Sequence, residues 1–125
     1  MRGGPLGFGL PLRELQLTDA QQQQIRDIRS RHETQIREAA SRVESAREAQ
    51  RKAVEAIPAN EAQITAVTQD LVQAEVDVAI QASRLNTEVW SVLTSEQQAK
   101  VKELRAQREA RQSERREQFR ERRRQ

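Results

Sequence analysis

One histidine and no cysteine set a narrow limit on what this chain can do chemically. Without a thiol there is no disulfide framework, no thiolate metal site and no cysteine nucleophile. His32 stands between Ile28 and Ile36 at helical spacing, on what reads as an apolar stripe. As a metal ligand it would need carboxylates such as Glu33, which falls on a different face, or a second His32 across a dimer axis. It is therefore expected as a buried or interface histidine, a weak metal candidate in a chain expected to hold no metal and no cofactor. No Ser/His/Asp set, paired-histidine motif or phosphate-cradling glycine loop occurs. The chain is not expected to be an enzyme.

The spacing that does carry chemistry belongs to hydrogen-bonding side chains. Leu17-Thr18-Asp19-Ala20-Gln21 returns 76 positions later as Leu93-Thr94-Ser95-Glu96-Gln97. A Thr followed three residues on by Gln is a capping box: the hydroxyl accepts from the N3 backbone N–H, and the Gln side chain reaches back to the cap's own N–H. Two of the orphan donors at a helix start are satisfied in this way. Loss of the Thr or of the Gln is expected to cost about 1 kcal/mol each. The motif's Leu is not explained by capping. N4 of the first helix is Gln22, so Leu17, adjoining Leu15, has no staple partner and must pack on another helix or stay available to something else. Any function in the motif is expected there.

The elements that would position these caps are helices. From Asp19 to Ile57 there is no Gly or Pro, and Ile25, Ile28, His32, Ile36, Ala39, Val43, Ala46, Val54 and Ile57 recur in steps of three and four. An unbroken helix of that span is about 58 Å long. Ile57-Pro58-Ala59-Asn60 ends it, and Asn60 with Gln63 offers a new cap. The second helix, about 61–92, carries one stripe through Ile64, Val67, Leu71, Ala74, Val78, Leu85, Val89 and Val92, and a second through Val72, Val76 and Ile80. Two adjoining apolar faces call for two neighbours, which puts this helix at the centre of the assembly. A third helix from Thr94 offers Val101 and Leu104 to a core. The divisions read as 1–14, a disordered lead; 15–112, a helical domain; and 113–125, a charged, frayed helical tail.

Composition supports the same class. Across 125 residues, 35% hydrophobic against 33% charged, with 2% aromatic, is thin material for a self-sufficient core. The expectation is an all-α, elongated antiparallel hairpin with a further helix, hiding its apolar stripe against a second copy. Net charge is +3 overall but −4 over residues 58–94 and +5 over 95–125. Glu109, Glu114, Glu117 and Glu121 dilute the Arg-rich end, and no aromatics interleave for base stacking, so nucleic acid is not an expected partner. No apolar run approaches the roughly 18–20 residues that span a bilayer, and residues 1–9 are too poor in apolar side chains for a signal core. The chain reads as cytoplasmic or as a mature form without its signal.

Leu15 to Arg26 and Val92 to Gln97 resemble the two LTXXQ motifs of the Spy/CpxP family, with a similar intervening length and all-helical character, over about residues 12–110. The resemblance implies a periplasmic, cradle-shaped homodimer acting as an ATP-independent chaperone that holds unfolding clients through apolar patches and positive charge. Its signal peptide would be absent from this chain. By motif position Leu15 and Leu17 match the apolar pair implicated in client contact; Ile25, Ile28 and Arg37 join them as candidates. With Met1 its only methionine, the chain lacks the pliable side chains that suit promiscuous binding, which implies a narrower client range. An alternative within the same family is an envelope-stress or metal-responsive regulator acting on the periplasmic part of a sensor kinase.

Overall fold

The computed structural model describes residues 9–125 as three helices: α1 (Asp19–Glu55), α2 (Glu61–Val92) and α3 (Ser95–Arg124), preceded by a short 3₁₀ turn at Arg13–Leu15. No strand occurs among the described residues. α1 runs without interruption for 37 residues, about 55 Å, because nothing between its caps removes a backbone donor. It stops two residues before Ile57, where Ala56 turns to extended geometry ahead of Pro58. Asn60 then starts α2, its Oδ1 accepting from Gln63 N–H at 3.1 Å.

α1 and α2 form an antiparallel hairpin. The direction is fixed by side chains that meet across it: Arg31 with Glu88, Arg47 with Glu75, and Gln50 Nε2 donating to Thr68 Oγ1 at 3.1 Å. Their order ascends on one helix and descends on the other. The middle of the hairpin closes on Ala39, Val43, Leu71, Ala74 and Val78. Small residues there let the two backbones approach, and tight contact rather than bulk does the packing.

The second cluster lies at the end away from the loop, where the 3₁₀ turn at Arg13–Leu15 and α3 also arrive. Leu10, Leu15, Ile25, Ile28, Val89, Leu93 and Val101 are buried together, with Leu12, Leu17, Leu85, Trp90, Val92 and Leu104 packed around them. Residues 1–8 of the expected disordered lead lie outside the described residues. Residues 9–14 do not fit that expectation: Leu10 is only 8% exposed, because its side chain is part of this core. At the other terminus the packed region ends at Leu104, earlier than the expected 112. Every residue after it is exposed, yet the backbone stays helical to Arg124.

The two apolar faces of α2 meet different fates. α1 covers the first. Val72, Val76 and Ile80 on the second are 55%, 43% and 43% exposed in the single chain.

Candidate functional site: the paired motifs and the neighbouring clefts

Both motif copies form complete capping boxes. Thr18 Oγ1 accepts from Gln21 N–H at 3.1 Å while Gln21 Oε1 accepts from Thr18 N–H at 3.0 Å. Thr94 and Gln97 repeat the arrangement at 3.2 and 2.9 Å. The helix starts are brought side by side by the hairpin, and their glutamines bond to each other. Gln21 Nε2 donates to Gln97 Oε1 at 2.7 Å, and Gln97 Nε2 donates to Gln21 Oε1 at 3.1 Å. The remaining amide protons go to backbone carbonyls, Gln21 to Val92 O at 3.1 Å and Gln97 to Leu15 O at 3.3 Å.

Each amide therefore donates twice and accepts twice, which exhausts its capacity. This accounts for a buried Gln21, the one polar side chain buried among the described residues, since burial is tolerated when every polar atom is paired. It also gives a reason for Gln at the box's last position. Glu would cap as well, but two carboxylates face to face would repel, whereas amides are self-complementary.

The clasp sits on the apolar cluster, and this changes the roles of the expected client-binding residues. Leu15, Ile25 and Ile28 are buried at 5%, 3% and 5% exposure. They form this chain's own core rather than an accessible surface, because Val89, Leu93 and Val101 close over them. Leu17 is half-buried on the same cluster and Leu93 is buried. The motif's leucines, which lack local staples, thus pack on the other helices. Arg37 stays exposed, paired with Glu33 one turn before it.

Arg37 also lies on an open cleft. Arg26, Arg29, Ser30, Ile36, Ala40 and Leu85 line it with Arg37 and Glu33, enclosing about 630 Å³. A second cleft of about 450 Å³ lies beside Trp90, Ala79, Ala82, Asn86 and Arg105, with Leu10 on its wall. Neither was foreseen as a site. Both depend on which side chains of α2 lie beside α1 and α3, and helical periodicity gives only one helix's face at a time.

His32 is largely covered, with 12% of its side chain exposed. Its Nε2 lies 3.1 Å from Glu88 Oε2, and Arg31 Nη2 lies 3.5 Å from the same oxygen. Neither approach is an aligned hydrogen bond, and His32 Nδ1 has no hydrogen-bond partner among the described residues. The carboxylate that meets His32 comes from α2 and not from Glu33. Among the described residues no group of three or more His, Cys, Asp or Glu is arranged to hold a metal ion.

These features define an all-helical hairpin protein whose two Leu-Thr-x-x-Gln helix starts lock to each other and to one core. Residues 12–105 match the model of the LTXXQ motif family, and the chain belongs to that family, which includes Spy/CpxP-type proteins. Neither the curated proteins nor the solved structures compared with the chain gave a match.

Proposed function

We propose that the protein is an ATP-independent holdase of the periplasm, working as a homodimer that captures partly unfolded chains reversibly. The observation that carries the reading is the Arg-edged apolar cleft between α1 and α2, where Arg26, Arg29 and Arg37 border Ile36, Ala40 and Leu85. Apolar lining favours unfolded segments, and the net positive charge that Arg26 and Arg29 leave at the rim beyond the Arg37–Glu33 pair speeds encounter without demanding a particular sequence. Membership in a family that is typically extracytoplasmic supports the compartment. No described helix is long and apolar enough to cross a membrane.

The second copy is assigned to the uncovered face of α2. Val72, Val76 and Ile80 follow one another at four-residue intervals, in line on one side of the helix. The chain exposes 9691 Å², against about 6,800 Å² for a compact monomer of its mass. Part of that excess is the bare tail of α3, and Val72, Val76 and Ile80 add apolar surface to it, as do Val54, Ile57 and Phe119 elsewhere.

An aggregation assay tests the function. At sub-stoichiometric to equimolar ratios, and without nucleotide, the protein should slow light scattering by a chemically denatured model client. No effect across several clients would overturn the reading.

A further inference from the structure

We propose that Gly9–Leu12 is a strap occupying, within its own chain, a groove whose ligand in trans is an extended client segment with two aliphatic residues flanked by carboxylates. The proposal rests on the holdase reading and names the client chemistry. Leu10 and Leu12 lie in a seat formed by Ile36, Val78, Ala82, Leu85 and Val89. The hollow that Gly9, Leu10 and Leu12 share with these residues is small, about 30 Å³. On either side the same trough opens out. Ile36 and Leu85 continue into the cleft edged by Arg26, Arg29 and Arg37, while Ala82 and Asn86 continue into the one beside Trp90 and Arg105. The seated peptide is thus shorter than the trough that holds it.

Its attachment is of a kind a competitor can replace. Two backbone bonds of the segment are local, Leu12 N–H to Leu10 O at 2.9 Å and Leu15 N–H to Leu12 O at 3.2 Å. Leucine side chains hold it down, and another chain can supply the same. Arg13 and Glu14 are exposed, so the strap can lift ahead of Leu15, whose carbonyl stays bonded to Gln97. Charge decides the flanks. The one carboxylate lining the larger cleft, Glu33, is already paired with Arg37, which leaves Arg26 and Arg29 to face an acidic ligand, with Arg105 at the other end.

Release of an occupying segment raises apparent affinity by the reciprocal of the open fraction. The probe is a fluorescein-labelled peptide, Asp-Glu-Leu-Pro-Leu-Glu-Asp, with a Lys-flanked version as control, read by anisotropy on the full chain. Leu10→Asp with Leu12→Asp should bind the acidic peptide about tenfold tighter than the unaltered protein, and the Lys-flanked peptide more weakly. Unchanged or weaker binding by a variant of native helical content would overturn the proposal, as would equal binding of the two peptides. Should that variant lose helix, Gly9→Cys with Ala82→Cys decides, since the chain has no other thiol. Binding should be lost on oxidation and restored on reduction; equal binding in both states contradicts the strap. Aggregation assays on the same forms separate the two claims. Equal suppression by locked and released protein sinks the strap and leaves the holdase, while peptide binding with no suppression in any form sinks the holdase and leaves the groove.

Discussion

Gln21 and Gln97, 76 residues apart, exchange a pair of amide hydrogen bonds at 2.7 and 3.1 Å while each still caps its own helix. The relationship makes the two motifs one structural unit. Each glutamine completes a helix start and fixes where the other helix start must lie. The hairpin's open end, the 3₁₀ turn at Arg13–Leu15 and α3 are joined at a single point over the Leu15–Ile25–Val101 core.

Gln16 links that turn to the first cap with φ 52° and ψ 59°, the left-handed region, which costs a side chain with a Cβ about 1–2 kcal/mol. Gln16→Gly should leave stability within about 1 kcal/mol of the parent, relief of strain being offset by greater freedom in the unfolded chain. Gln16→Val should cost about 1–2 kcal/mol, because branching at Cβ makes the region less accessible. Urea midpoints check both.

If the second copy covers Val72, Val76 and Ile80, a charge at the centre of that stripe should separate the subunits without unfolding them. Val76→Asp is expected to give a monomer in sedimentation velocity with native helical content, since Val76 is 43% exposed and outside the hairpin core. A dimer of unchanged affinity would rule out this face.

Removing residues 113–125 should leave the urea midpoint where it was, since every residue beyond Leu104 is exposed. Helical signal per chain should fall, because those residues are helical to Arg124. A large loss of stability would show that the tail packs against something in solution.

Near the hairpin loop Arg51 bonds both Glu48 and Glu55. The hydrogen bond from Arg51 holds the Glu48 carboxyl below its ordinary value of 4.5. A depressed carboxylate stabilises the fold above its unfolded pKa and loses that contribution as pH falls through the folded one. Amide exchange in the last turns of α1 should therefore quicken, relative to mid-helix, once the pH drops below the ordinary carboxylate range. The cluster is exposed, so salt should shrink the effect.

Helix identity and extent were legible because Gly and Pro are absent from 19–55 and the caps Thr18, Asn60 and Thr94 stand at all three starts. The stripe from Ile25 to Val43 was legible for the same reason: it repeats along one helix. Partner choice was not. Ile25 and Ile28 read equally well as a client surface or a core, and only the arrival of Val89, Leu93 and Val101 decides between them. Leu10 sits among glycines and prolines with no period to mark it, so its burial is a tertiary outcome. The Gln21–Gln97 pairing was half visible, since the repeat was plain but the hairpin that brings its copies together lies at long range.

The joining of the two motifs is tested most directly by a double-mutant cycle on Gln21→Ala and Gln97→Ala, read by urea unfolding. Each single change strands the other amide with donors and acceptors unmet and removes a cap contact, so each should cost about 3 kcal/mol. The double variant removes both partners and should cost less than the two singles together, with a coupling of about 1–3 kcal/mol. Additive losses, within about 0.3 kcal/mol, would mean that the glutamines cap their own helices and no more, and would contradict the clasp.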